Sequence, residues 1–139
     1  MARPDIGVAI HAASPRATFD AIRRADELGV PTAWLTTGGA GPDALTIFAA
    51  AAVHTQRIRL GTAIVPTFPR HPVVLIQQVQ VVAQLAPGRL ALGIGPSHRS
   101  IIEEVFGIPF QKPLDHLREY VAVLRAGLAG GPIDHAGET

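Results

Sequence analysis

Residues Arg57–Pro72, RIRLGTAIVPTFPRHP, open as a strand and end among three prolines. Ile58, Leu60 and Ala63–Val65 give the apolar, β-branched run of a strand buried on both faces. Proline cannot donate to a ladder, so Pro66 and Pro69 stop the strand, while Pro72 suits the first position of a helix. Thr67, Phe68, Arg70 and His71 are held between the stop and the start.

The same unit recurs on either side. DIGVAIH reads as a first strand, and SPRATFDAIRRADELGVP as a helix with Ser14 as cap, Pro15 at its first position and Gly29 and Pro31 at its end. Phe19, Ile22, Ala25 and Leu28 fall on one side of that helix. TAWLTT is a second strand, followed by the turn GGAGP and the alanine-rich helix DALTIFAAAAVHT. After the opening stretch, VVLIQQVQVVAQLAPG is long enough to be a helix despite its β-branched residues, and it is apolar on more than one side. That second apolar side predicts either a subunit interface or a covering helix. RLALGIG is the fourth strand, SIIEEVFG a short helix, and PLDHLREYVAVLRAGLAGG a longer one with Leu114, Leu117, Val121 and Leu124 on one side.

Strand and helix alternate four times at intervals of roughly 30 residues, which predicts a parallel sheet of four βα units. Periodicity leaves two architectures open, a doubly wound sheet and part of an eight-stranded barrel, which typically needs about 250 residues. The turn-rich tail at 130–139, GGPIDHAGET, has no closing helix, so the expectation is a truncated chain and the barrel.

The 139 residues fit one compact domain with a real core. A net charge of +1, with Lys and Arg scattered among acids, offers no stripe for nucleic acid. Without cysteine there are no disulfides, thiolate catalysis or zinc-cysteine sites, so redox chemistry needs a borrowed cofactor. The N-terminus enters a strand pattern at once and no apolar run reaches spanning length, so a cytoplasmic protein free of the membrane is expected.

Ligands of parallel α/β folds sit at the C-terminal ends of the strands. Those ends carry His11, then Thr36, Thr37, Gly38 and Gly39, then Thr67 to His71, then Ser97 and His98. GIGPSH is not a dinucleotide fingerprint, because His98 stands at the third glycine and Pro96 intrudes. The histidines lack an accompanying carboxylate and an i, i+4 pair, which argues against a metal. Ser97 lacks a nucleophile elbow and an acid to orient His98. His54, His116 and His135 need only surface roles.

FDAIRRADELGVPTAWL, RIRLGTAIVPTFPRHP, LAPGRLALGIGPSH and PLDHLREYVAVLRAGLAG, taken in order over nearly the whole chain, resemble the luciferase-like flavin monooxygenases, most closely the branch that uses coenzyme F420. The resemblance implies an α/β fold, the N-terminal half of a (β/α)8 TIM barrel spanning residues 1–139. It further implies hydride transfer between F420 and an organic substrate, with FMN and FMN-dependent oxygenation as the alternatives, and a homo-oligomer. A non-catalytic half-barrel binding or assembly module is the rival from another class. By position, the resemblance places a bulge with a non-prolyl cis peptide at Ala63–Ile64, behind the coenzyme ring. It implies a coenzyme site of His11, Thr36, Thr37, Thr62, Ala63, Ile64, Gly95 and Ser97, with His98 as the proton-handling group. The acid and histidine that follow strand two in the sugar-phosphate dehydrogenase branch are replaced here by Thr37 and Gly38, and the glutamate after strand four by His98. That branch's chemistry is therefore not carried over.

Overall fold

A computed structural model describes residues 6–134, 136 and 137; His135 lies outside the described residues. The chain runs β1 (Val8–Ala9), α1 (Pro15–Glu27), β2 (Thr32–Leu35), α2 (Ala44–Ala52), β3 (Arg59–Thr62), β4 (Val65–Pro66), α3 (Pro72–Leu85), β5 (Leu90–Ala91) and β6 (Ile94–Gly95). A π-helical turn at Ile101–Val105 and α4 (Pro113–Leu128) complete it. All pairings are parallel, in the order β1-β2-β3-β5, with β4 on β6 continuing the β3-β5 seam beyond a break. Four consecutive βα units in sequential spatial order form the first half of a (β/α)8 barrel, with β1 and β5 as the open edges of the larger sheet.

The helix starts follow from local chemistry. The Ser14 hydroxyl accepts the Ala17 N–H at 3.2 Å, the Asp43 carboxylate accepts the Thr46 N–H at 2.8 Å, and His71 Nδ1 accepts the Val73 N–H at 3.2 Å. Pro15, Pro72 and Pro113 each open a helix, where the missing N–H costs no hydrogen bond. The core lies between the sheet and α1–α4. Ala33, Leu35 and Leu60 from the strands meet Ile22, Phe48, Leu75, Val79 and Leu124 from the helices.

The N-terminal face of the sheet is tied by two side chains. Asp26, in the last turn of α1, accepts the backbone N–H groups of Gln56, Arg57 and Ile58 at 2.7–3.0 Å. Burial alone would raise its pKa, but those three N–H groups and the Arg57 charge outweigh it and hold the carboxyl below its ordinary value. Arg89 donates to the Ala52 and Ile58 carbonyls and to the Thr55 hydroxyl, fixing the end of α2 to the start of β3.

Four sequence expectations are corrected here. The first strand is not buried on both faces: it is an edge strand, and Val8 is exposed. Strands three and four are each split in two, because the chain breaks at Ala63–Ile64 and at Leu92–Gly93. In α1, Leu28 is exposed, and Thr18 joins Ile22 and Ala25 on the buried side. In α4 the buried side is Tyr120, Val123, Leu124 and Gly127, whereas Leu114 is 74% exposed. Gly127 sets that rotation, since a side chain there would run into Ile76 of α3. The second apolar side expected of α3 is present as Val74, Val81 and Leu85, all exposed. Among the described residues no helix is long and apolar enough to cross a membrane.

At the double break, the Thr62 hydroxyl donates to the Gly93 carbonyl and accepts the Gly93 N–H, both at 2.8 Å, and the Val65 N–H reaches the same carbonyl at 2.9 Å. A Cβ on Gly93 would overlap the Thr62 carbonyl oxygen, which is backbone and cannot swing aside. Gly93→Ala is therefore expected to cost about 1–3 kcal/mol, read as a lower urea midpoint at unchanged m-value. Thr62→Ser, which keeps the hydroxyl, should lose less than Thr62→Val.

Candidate functional site

The break in strand three builds a shelf at the C-terminal end of the sheet. The Ala63–Ile64 bond is cis, at the position the family resemblance implies. Three hydrogen bonds fix it to β2 and the loop that follows. The Ala63 N–H donates to the Leu35 carbonyl at 2.7 Å, the Thr37 N–H to the Ile64 carbonyl at 3.2 Å, and the Thr36 hydroxyl to the Ala63 carbonyl at 2.8 Å. Ala63 itself is exposed. Behind it, Ile64 lies over Gly95, where a Cβ would stand 3.3 Å from Ile64 Cδ1. The result is a small uncharged surface that carries little more than a methyl group.

The sequence-predicted residues divide into three groups around this shelf. Ala63, Ile64, Gly95 and Thr36 come together as its surface and support. Ser97 has φ +66°, and this left-handed turn carries the chain away to the exposed His98, whose carbonyl accepts the Ile102 N–H at the start of the π-helical turn. His11 is exposed on the other flank, beside Thr36, in a cleft of about 250 Å³ between the starts of α1 and α2. Thr37 and Thr62 are buried, and their hydroxyls are engaged inside the protein, Thr37 accepting the Ala44 N–H at 3.1 Å and Thr62 closing the pair with Gly93. They shape the shelf from beneath.

The PRH segment after the third strand does a different job. Arg70 forms a half-buried ion pair with Asp43 at 2.7 Å and donates to Gln78 at 2.7 Å, which ties the start of α2 to α3. For Asp43, burial pushes the pKa up, but hydrogen bonds from Arg70 and Thr46 and the Arg70 charge bring it below its ordinary value. Tyr120 donates to the Arg70 carbonyl at 2.8 Å; burial pushes its phenol up to about 12, against the pull of Arg70.

His116 was given a surface role on sequence grounds, and the structure corrects that. Its Nε2 lies 3.1 Å from the Thr67 hydroxyl, and its ring stacks on Phe68 with centroids 4.1 Å apart. Thr67 in turn holds Gly95 through its N–H at 2.9 Å. Sequence reading missed this chain of contacts because His116 and Thr67 are far apart along the polypeptide; the available signal was that His116 stands four residues before Tyr120, on the side of α4 that is buried. His54, by contrast, is exposed and meets Phe19 edge-on.

Among the described residues no three His, Cys, Asp or Glu side chains gather as a metal site. The shelf is thus a small uncharged strand-end surface with Gly95 behind it and His11 in the neighbouring cleft.

The fold and this site define a parallel half-barrel with a shelf at its strand ends. Along residues 1–139 the chain matches the luciferase-like monooxygenase family, and it belongs to that family. It is 38% identical over 119 residues to the F420-dependent glucose-6-phosphate dehydrogenase of Beutenbergia cavernae, covering 83% of this chain and 34% of that protein. The F420-dependent tetrahydromethanopterin reductase of Methanopyrus kandleri superposes with a TM-score of 0.82 at 24% identity, over 95% of this chain and 42% of that one. The oxygenating constituent of 3,6-diketocamphane monooxygenase from Pseudomonas putida, solved with FMN, superposes with a TM-score of 0.81 at 24% identity, over 95% and 41%. The chain thus spans about a third of the length of the curated relative, at 34%, and about two fifths of each solved structure.

Burial holds the His116 pKa below 6.5, with Glu119 pulling the other way. The unfolded chain therefore takes up the proton first, and the stability tied to the neutral ring is complete above pH 6.5 and lost as pH falls through the lowered folded value. Thermal melts between pH 7.5 and pH 5 should show a shallower decline for His116→Gln than for the parent.

Proposed function

We propose that this chain is the N-terminal part of an F420-dependent oxidoreductase that transfers hydride between the coenzyme and a small organic substrate. The observation that carries the reading is the shelf itself, where Ala63 is exposed, its carbonyl is held by Thr36, and Gly95 leaves room for Ile64 to lie flat. The relative from Beutenbergia cavernae supports F420 over FMN.

The residues fit a tricyclic coenzyme ring. Ala63 and Ile64 would lie against its face and Gly95 would leave their packing undisturbed. Thr36 keeps its lone pairs for a polar ring edge while its proton stays on the Ala63 carbonyl. His11 and Ser97 would border the ring, and Thr37 and Thr62 would hold the shelf's shape from below. F420, when bound, supplies the hydride donor or acceptor, and the protein contributes position and protons. His98 is the group we assign to proton exchange, because it is an exposed imidazole in the loop that follows the fourth strand. A cytoplasmic homo-oligomer acting on small molecules completes the reading, and the exposed apolar side of α3 supports the oligomer.

Titration of the chain with F420 is expected to quench coenzyme fluorescence to saturation, with FMN a weaker competitor. Gly95→Leu should weaken that binding at least tenfold, and His98→Ala should leave it within about threefold while lowering hydride transfer by about 10²-fold or more. Absence of quenching would overturn the reading, and tighter FMN than F420 binding would move it to the flavin-dependent side of the family.

A further inference from the structure

The shelf has a support that comes from outside the sheet. Gly95, over which Ile64 lies, offers its carbonyl to Thr67, and Thr67 donates both its N–H at 2.9 Å and its hydroxyl at 3.3 Å. The ladder that joins β4 to β6 is only two residues long, Val65 on Ile94 and Pro66 on Gly95, so the bonds at its end carry much of its register. Thr67 is buried, and His116 of α4 brings its Nε2 to the same hydroxyl oxygen at 3.1 Å.

A hydroxyl has one proton to give and lone pairs to accept with. While the Thr67 proton stays on the Gly95 carbonyl, its oxygen can only accept from His116, and the imidazole must carry a hydrogen on Nε2. A neutral ring with its hydrogen on Nδ1 would instead compete for the Thr67 proton and draw it off Gly95. The orientation of the ring is set independently of this bond. It stacks on Phe68 with centroids 4.1 Å apart and planes 20° apart, Phe68 leans on Phe110 at 4.9 Å, and Tyr120 stands 5.7 Å away on the other side chain of the same helix turn. A ring held in this way gives up little further freedom in making the bond.

We propose that His116 is a positioning residue for the shelf: as an Nε2–H donor it keeps the Thr67 proton on the Gly95 carbonyl and so fixes Gly95 under Ile64. It acts through Thr67 and meets neither coenzyme nor substrate. The effect on coenzyme binding rests on the F420 reading above, whereas the geometry at Gly95 is tested without coenzyme.

Nitrogen-15 NMR of the full chain at about pH 8, where burial keeps the imidazole neutral, is expected to find the His116 hydrogen on Nε2. A hydrogen on Nδ1 overturns the proposal. His116→Phe keeps a ring on Phe68 and removes the donor. It is expected to lower the hydrogen-exchange protection of the Thr67 amide at least tenfold, and to leave within about twofold that of the Leu60 amide, which bonds the Arg89 carbonyl at the other end of the sheet. Uniform loss at both amides marks a general loss of stability and overturns the proposal, as does no loss at Thr67. In F420 titrations, His116→Phe and Thr67→Val are each expected to weaken quenching about tenfold and the double variant about tenfold as well, because both changes break one chain. His116→Gln, which restores an N–H donor, should bind within about threefold of the parent. A double variant weakened about a hundredfold, or parent-like binding by His116→Phe, overturns the proposal. A parent chain that fails to quench F420 sinks the coenzyme reading alone, and the tautomer and the Thr67 amide then decide the role of His116.

Discussion

The hydroxyl of Thr62 is the group on which the site depends. A parallel ladder interrupted at a partly buried place leaves an N–H and a carbonyl short of partners, and such groups cost up to about 1–3 kcal/mol each when buried and unsatisfied. Gly93 is that place, and one side-chain oxygen answers both of its backbone groups. The third strand is then free to leave the sheet for two residues and rejoin it at Val65, whose N–H meets the same Gly93 carbonyl. What projects in the gap is Ala63. The shelf is thus a consequence of hydrogen-bond satisfaction one layer below it.

The two ends of the sheet are stabilised by different means. At the N-terminal end, Asp26 and Arg89 collect backbone groups from neighbouring elements, and charge there serves cohesion alone. At the C-terminal end the half-buried ion pair of Arg70 with Asp43 is set back between α2 and α3. It stiffens the loops while keeping its charges off the shelf and out of the neighbouring cleft. Tyr120 and His116 extend the same support from α4 to the rim through Arg70 and Thr67.

Much of the fold was legible along the chain because its punctuation is chemical. Ser14 with Pro15, Gly29 with Pro31, and Pro72 mark helix ends whose physics is local, so the four βα units followed from them. The barrel rather than an open sheet was favoured by the turn-rich tail and by family resemblance, and the bulge at Ala63–Ile64 came from the resemblance; period-two alternation has no term for a strand that breaks and resumes. Two kinds of information were not legible. The face α4 buries was read correctly only at Leu124: Leu114, Leu117 and Val121 make as good an apolar stripe with it as Tyr120 and Val123 do, and the close fit of Gly127 against Ile76 favours the second. The division of the threonines was equally hidden. Thr36, Thr37 and Thr62 look alike in sequence, yet one hydroxyl lies at the surface and two are buried under it.

The chain contains one tryptophan and one tyrosine. Trp34 alternates with Ala33 and Leu35, which face the helices, so its indole lies on the opposite face of the sheet, where any side chain on Gly61 would collide with it. Gly61 precedes the shelf by two residues on the same strand. Tyr120 is packed away under Arg70, with its phenol protonated at neutral pH. Light absorbed by indole alone is therefore emitted from a single known position beneath the ligand shelf, and the sequence carries its own optical probe of what happens there.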